Sequence, residues 1–112
     1  MLSKFSNIGI KAIGACLPSK NFSIVDYAPQ LITEKEAKRF SKNTGFFRLA
    51  ITEDDVTASD LCYQAACNLF EKSKIAKKDI EALIFITQTP DWDLPATSHC
   101  LQNKLGLSEE VI

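Results

Sequence analysis

The feature that most constrains this chain's fold is the segment 82–87, ALIFIT, in which nearly every residue is apolar. A strand that is apolar throughout is buried on both faces, as in a parallel sheet, whereas a half-exposed strand alternates apolar and polar residues. The helix predicted before it carries two neighbouring apolar rows, formed by Leu61, Ala65, Leu69, Cys62, Ala66 and Phe70. A helix followed by a buried strand predicts an α/β fold with a mixed or parallel sheet and flanking helices.

Helix boundaries can be predicted from local signals. Residues 33–43 predict a helix that begins with a capping box of Thr33 and Glu36 and ends at Gly45. The helix with the two apolar rows begins around residues 57–60, where hydroxyl and carboxylate groups can accept hydrogen bonds from free backbone N–H groups.

Three further segments complete the predicted order of strand, helices, strand and helix. Residues 7–15 predict a mostly buried first strand. Residues 96–105 predict a last helix, with Pro95 fitting its first turn and Gly106 its exit. Residues 109–112, EEVI, resemble the entrance to another strand, so we expect a truncated chain in which residues 1–112 form the incomplete N-terminal part of one domain.

Composition excludes several classes of function. A net charge of -1 over 112 residues, with basic and acidic side chains interspersed, predicts no nucleic-acid partner. No apolar stretch approaches the roughly 20 residues of a membrane span, and no signal-type segment opens the chain, so we expect a cytoplasmic protein.

The four cysteines lack the spacing and the companion histidines of a zinc site, which predicts reduced core thiols and no metal. Cys62 and Cys67 lie five residues apart, or about 140° around a helix, and are not expected to form a disulfide. Nothing in the sequence supports a redox cofactor.

A series of short motifs covers nearly the whole chain and resembles one family. In chain order the motifs are Ile8-Gly9-Ile10 through Gly14-Ala15-Cys16-Leu17-Pro18, Thr44-Gly45-Phe46, Thr57-Ala58-Ser59-Asp60-Leu61, Leu83-Ile84-Phe85-Ile86-Thr87-Gln88-Thr89-Pro90, Leu94-Pro95, Leu101-Gln102 and Leu105-Gly106-Leu107. Their order and spacing are similar to those at the N-terminus of β-ketoacyl-acyl carrier protein synthase III, a thiolase-like condensing enzyme. The series is specific as a whole, although no single motif is.

The resemblance implies an acyltransferase of fatty-acid or related lipid biosynthesis, which catalyses a decarboxylating Claisen condensation between an acyl primer thioester and malonyl-acyl carrier protein. It implies no cofactor, with acyl-CoA or acyl-carrier protein as primer donor, and it implies acyl carrier protein and a second identical subunit as partners. The family's nucleophilic cysteine, histidine and asparagine would all follow Ile112. We therefore assign no catalytic residue to this chain. Cys100 is not the nucleophile, because adjacent helix positions such as His99 and Cys100 point about 100° apart.

The resemblance also implies candidate contacts with substrate and partner. Leu94 matches the family position just before a proline, where the side chain lines the acyl pocket of the other subunit; a simple hydrophobic plug at the dimer interface is an equally good interpretation. Trp92, between two aspartates, is a candidate partner contact because tryptophan is enriched at interfaces.

A departure from the family concerns the primer carrier. Many members clamp the adenine of CoA between a tryptophan and an arginine, and the matching positions here hold Arg39 and Asn43. Arg39 can stack on a base or bind a phosphate, while a solvated helix face is the alternative interpretation. An acyl-carrier-protein-bound primer is therefore as compatible with this sequence as CoA.

Three hypotheses remain. The first is the N-terminal part of a ketoacyl synthase III, inactive as 112 residues alone. The second is a non-catalytic thiolase-like subunit that shapes the pocket of a complete condensing enzyme. The third is a small α/β binding module unrelated to thiolases, which leaves the series of motifs unexplained.

Overall fold

The computed structural model describes residues 6–27 and 32–112, and the chain divides into two compact units. One unit comprises residues 17–57, and the other combines the N-terminal residues up to Cys16 with residues 58–112. The sequence-based assignment of residues 1–112 to part of one domain stays a prediction.

The unit of residues 17–57 contains a short antiparallel pair that the sequence did not predict. Strand β1 (Lys20–Ser23) pairs with strand β2 (Arg48–Ile51), with Lys20 opposite Ile51. A single helical turn, α1 (Ile24–Tyr27), follows β1 directly. Each strand has only four residues, so the pair carries little local signal.

The predicted capping box begins helix α2 (Glu34–Thr44), as expected. The Glu36 N–H donates to the Thr33 hydroxyl oxygen at 3.3 Å, and the Thr33 N–H donates to the Glu36 carboxylate at 2.9 Å. Gly45 ends the helix in the left-handed conformation, at φ 79°, which glycine adopts without steric cost. The buried side of α2 includes Ala37, which packs with Ile24 in the small core of this unit.

We expect the capping box to make stability depend on pH. Hydrogen bonds from Thr33 hold the pKa of Glu36 below its ordinary value of 4.5. A lowered folded-state pKa contributes stability that is present above pH 4.5 and is lost as the pH falls below it. Urea unfolding between pH 3 and pH 6 should therefore show a shallower loss for Glu36→Gln, which keeps a capping side chain but does not titrate. Equal pH dependence in the two proteins would contradict this contribution.

Two helices build the other unit, α3 (Ala58–Ser73) and α4 (Thr97–Leu105), and they pack against each other. The buried row on α4 consists of residues four positions apart, namely Thr97, Leu101 and Leu105. Gly106 ends α4 in the left-handed conformation, and the Lys77 ammonium donates to the Leu105 carbonyl at 2.6 Å. The N-cap of α4 is Ala96, so Pro95 precedes the cap and its predicted place in the first turn is wrong. The helix begins at Thr97, one residue after the predicted start.

The two predicted buried strands are the main correction to the sequence analysis. Residues 7–15 and 82–87 have no regular secondary structure, and Ile84 and Ile86 are 83% and 90% exposed. The prediction that residues 82–87 are buried on both faces is therefore wrong for this chain. Burial of a strand needs neighbouring strands and helices on each side, and hydrophobicity alone does not supply them.

One end of this segment nevertheless has a parallel neighbour. The Ile112 N–H donates to the Glu81 carbonyl at 3.1 Å, and the Leu83 N–H donates to the Ile112 carbonyl at 2.8 Å. A residue that donates to one residue of a neighbouring segment, and accepts from the residue two positions further along it, forms a parallel bridge. Burial along residues 83–87 also alternates with a period of two, as in a strand covered on one face.

Among the described residues, no helix is both long and apolar enough to cross a membrane.

Candidate functional site

The loop that precedes α4, residues 91–95, carries two of the predicted contact residues, Trp92 and Leu94. Hydrogen bonds anchor its first residue, Asp91. The Ser59 hydroxyl, in the first turn of α3, donates a hydrogen bond to the Asp91 carboxylate. The Asp91 N–H donates to the hydroxyl oxygen of Thr97, the first residue of α4, at 3.3 Å. Ser59 and Thr97 are both buried, so Asp91 links the beginnings of the two helices inside the unit.

Beyond Asp91 the loop presents its apolar side chains outward. Trp92 is 63% exposed and Leu94, three residues after Asp91, is 87% exposed. The structure therefore places both residues where another molecule can reach them. Their predicted roles, in the acyl pocket and at a subunit interface, stay predictions.

A cavity of about 310 Å³ adjoins this loop. Its lining combines aromatic, hydroxyl and acidic side chains from the 82–87 segment, the loop and the start of α4: Phe85, Thr87, Pro90, Trp92, Asp93, Ala96, Thr97 and Ser98. This volume lies at the lower end of the range for small-ligand sites, and the lining offers both apolar surface and hydrogen-bonding groups.

A charged cluster lies where α3 and α4 meet. The Lys104 ammonium lies 2.6 Å from the Asp60 carboxylate and 4.9 Å from the centre of the Tyr63 ring. The hydrogen bond to Asp60 raises the pKa of Lys104, and Asp91 adds to the shift through its own charge. Lys104 therefore offsets negative charge near the anchored end of the loop.

Arg39 and Asn43 lie in the other unit, on α2. They are four positions apart, about one helical turn, and both are exposed. Next to Arg39, Lys38 forms an ion pair with Glu34. The geometry gives Arg39 and Asn43 a common exposed face of the helix, and their predicted contact with the primer carrier stays a prediction.

The cysteines are free, as the sequence predicts, although all four are only partly buried rather than in the core. Burial raises the pKa of the Cys62 thiol. His99 is exposed and Cys100 is partly buried. Within residues 6–27 and 32–112, no group of three His, Cys, Asp or Glu side chains is arranged to hold a metal ion.

Known proteins with sequences similar to this chain include β-ketoacyl-[acyl-carrier-protein] synthase III proteins. No protein-family model matches the chain. Over 103 residues, 92% of the chain, it is 31% identical to the β-ketoacyl-[acyl-carrier-protein] synthase III of Fusobacterium nucleatum. The chain is a relative of the ketoacyl synthase III proteins. It spans only 31% of the length of that relative.

Solved structures support the same assignment of the fold. A 3-oxoacyl-(acyl-carrier protein) synthase from Burkholderia xenovorans superposes with a TM-score of 0.78 at 31% identity, over 89% of this chain and 29% of that enzyme. Xanthomonas campestris OleA superposes with a TM-score of 0.79 over 96% of this chain and 33% of that protein, at 21% identity. The predicted thiolase-like fold is thus confirmed, and the chain superposes on about one third of the length of each of these two proteins.

The hydrogen bonds by which Asp91 anchors the loop were not predicted from the sequence. Asp91, Ser59 and Thr97 were not singled out, because a hydrogen bond between residues 32 positions apart has no local signature. Ser59 and Thr97 are small polar residues at the starts of two predicted helices. Helix capping is a sufficient explanation for such residues, so they did not indicate a contact with Asp91.

Proposed function

We propose that this chain supplies the N-terminal part of a 3-oxoacyl-acyl carrier protein synthase III in fatty-acid or related lipid biosynthesis. The observation that carries the proposal is the similarity to synthase III over 92% of the chain, together with the matching fold. The proposed enzyme is cytoplasmic and homodimeric, binds acyl carrier protein and uses no cofactor. Its nucleophile and catalytic partners belong to parts of the enzyme other than these 112 residues.

The proposed reaction has two steps. A cysteine thiolate attacks the carbonyl of the primer thioester, and the CoA or carrier-protein thiol leaves, so that an acyl-enzyme forms. Malonyl-carrier protein then loses CO₂, and the resulting carbanion attacks the acyl-enzyme and releases the thiolate. Both tetrahedral intermediates carry an oxyanion that backbone or side-chain donors must stabilise.

In this scheme the residues of the present chain contact the acyl group, the carrier of the primer or the partner subunit. They do not contact the reacting atoms. Leu94 forms part of the wall of the partner subunit's acyl pocket, and Trp92 contacts the partner subunit. Arg39 and Asn43 bind the carrier of the primer. Their exposure, on a loop anchored by Asp91 and on a capped helix, supports these roles.

A second candidate function follows from the exposed isoleucines. Ile84 and Ile86, like Ile8, Ile10 and Ile13 in the same unit, expose most of their side-chain surface. Contiguous exposed apolar patches mark interaction surfaces. A non-catalytic thiolase-like subunit would bury this surface against a complete condensing enzyme and shape its pocket.

The complete reading frame of the gene distinguishes the two candidates. Its purified product should condense an acyl thioester with malonyl-carrier protein, and Leu94→Ala should shift primer preference toward bulkier acyl groups, with Trp92→Phe as a control. If the product contains no cysteine after Ile112 and does not condense substrates, the enzyme proposal is wrong. A change in primer preference when the chain is co-expressed with a complete synthase would then support the second candidate.

A further inference from the structure

The loop of residues 91–95 is anchored at its first residue, Asp91. Asp91 accepts a hydrogen bond from Ser59 through its side chain and donates one to Thr97 through its backbone. Because Thr97 is the first residue of α4, this second bond closes the loop from its first residue onto the helix that follows it. Asp91 thus connects the loop to both helices.

The side chains beyond this anchor have little burial to orient them. Trp92 and Leu94 project from the loop with most of their surface exposed. A short loop with exposed side chains takes its orientation from its fixed ends, since few packed neighbours restrict it. The direction in which Leu94 points therefore depends on the bonds of Asp91.

We propose that Asp91 is a positioning residue that fixes the 91–95 loop between α3 and α4 and thereby sets how Leu94 shapes the primer pocket. This inference rests on the proposed function, because it uses the predicted role of Leu94. Asp91 itself contacts no reacting atom.

The chain offers a matched control on the other side of Trp92. Asp93 carries the same side chain but is exposed. Asp91→Ala and Asp93→Ala therefore remove the same group at equal distance along the chain from the tryptophan. Only Asp91→Ala removes the carboxylate that accepts the hydrogen bond from buried Ser59.

Trp92 is the chain's single tryptophan, so its fluorescence reports on this loop alone. Asp91→Ala and Ser59→Ala should each lower its nanosecond fluorescence anisotropy and raise its quenching by acrylamide, while Asp93→Ala should change neither. Asp91→Asn keeps an oxygen acceptor and the backbone N–H, and it should restore most of the anisotropy. Circular dichroism identifies any variant that unfolds, and the conclusion then rests on Ser59→Ala and Asp91→Asn.

The outcomes separate this inference from the proposed function. Equal fluorescence changes in Asp91→Ala and Asp93→Ala, or none in Ser59→Ala, overturn the positioning role whatever the enzyme does. With the complete reading frame, Asp91→Ala should change the kcat/KM ratio for short and long primers in the same direction as Leu94→Ala. If Leu94→Ala changes this ratio and Asp91→Ala does not, the inference is wrong. If neither variant changes the ratio but Asp91→Ala alters the fluorescence as expected, the proposed role of Leu94 is wrong and Asp91 still anchors the loop.

Discussion

Replacing Leu101 with alanine is expected to lower the free energy of unfolding by roughly 2–5 kcal/mol. Leu101 is only 1% exposed and lies at the centre of the buried row of α4. The substitution removes apolar contacts and leaves a cavity that the surrounding helix cannot fully close. Since small domains are stable by about 5–15 kcal/mol in total, a loss of this size removes a large share of the stability.

Urea denaturation of Leu101→Ala, followed by circular dichroism, measures this loss. Leu94→Ala is the matched control, because it deletes the same atoms from a side chain that is 87% exposed. The control should unfold at nearly the same urea concentration as the unmodified chain. Similar destabilisation by both variants would show that α4 does not pack as described.

Replacing Gly14 with valine is expected to cost about 1–3 kcal/mol, because the new side chain overpacks a close contact with α3. A Cβ atom at position 14 would lie 3.0 Å from the Ala65 carbonyl oxygen and 3.0 Å from the Cβ atom of Leu69. Both atoms belong to or adjoin the backbone of a helix, so neither can move aside like the end of a flexible side chain. The N-terminal segment would have to separate from α3.

The control for this second variant is Gly9→Val. No atom lies within 4 Å of the Cβ position at residue 9, so this substitution alters the flexibility of the unfolded chain in the same way without creating a clash. The difference in urea midpoint between the two variants isolates the contact with α3. Equal midpoints would contradict the close approach of residue 14 to the helix.

The helices were the most predictable part of the fold. The interactions that begin and end them join residues within a few positions of each other, as in the capping box of Thr33 and Glu36 and the left-handed exit at Gly45. The predicted start of α4 was one residue early because its N-cap, Ala96, provides no side-chain hydrogen bond to mark it.

The candidate site was predictable only in part. Resemblance to a family singled out Leu94, Arg39 and Asn43, and the enrichment of tryptophan at interfaces singled out Trp92. The structure places all four at the surface. Neither signal singled out Asp91, whose importance lies in contacts with Ser59, 32 residues earlier, and with Thr97. The arrangement of helices that brings these residues together is a property of the whole unit.

The sequence by itself determined where the longer helices begin, to within a residue or two, and the similarity to ketoacyl synthase III, because short-range hydrogen bonds and an ordered series of motifs are both local features of the sequence. Only the tertiary structure decided the pairing of β1 with β2, the exposure of Ile84 and Ile86, and the anchoring of the loop by Asp91. Strand pairing and burial depend on partners distant in sequence, and an apolar segment such as 82–87 is buried only where such partners cover it.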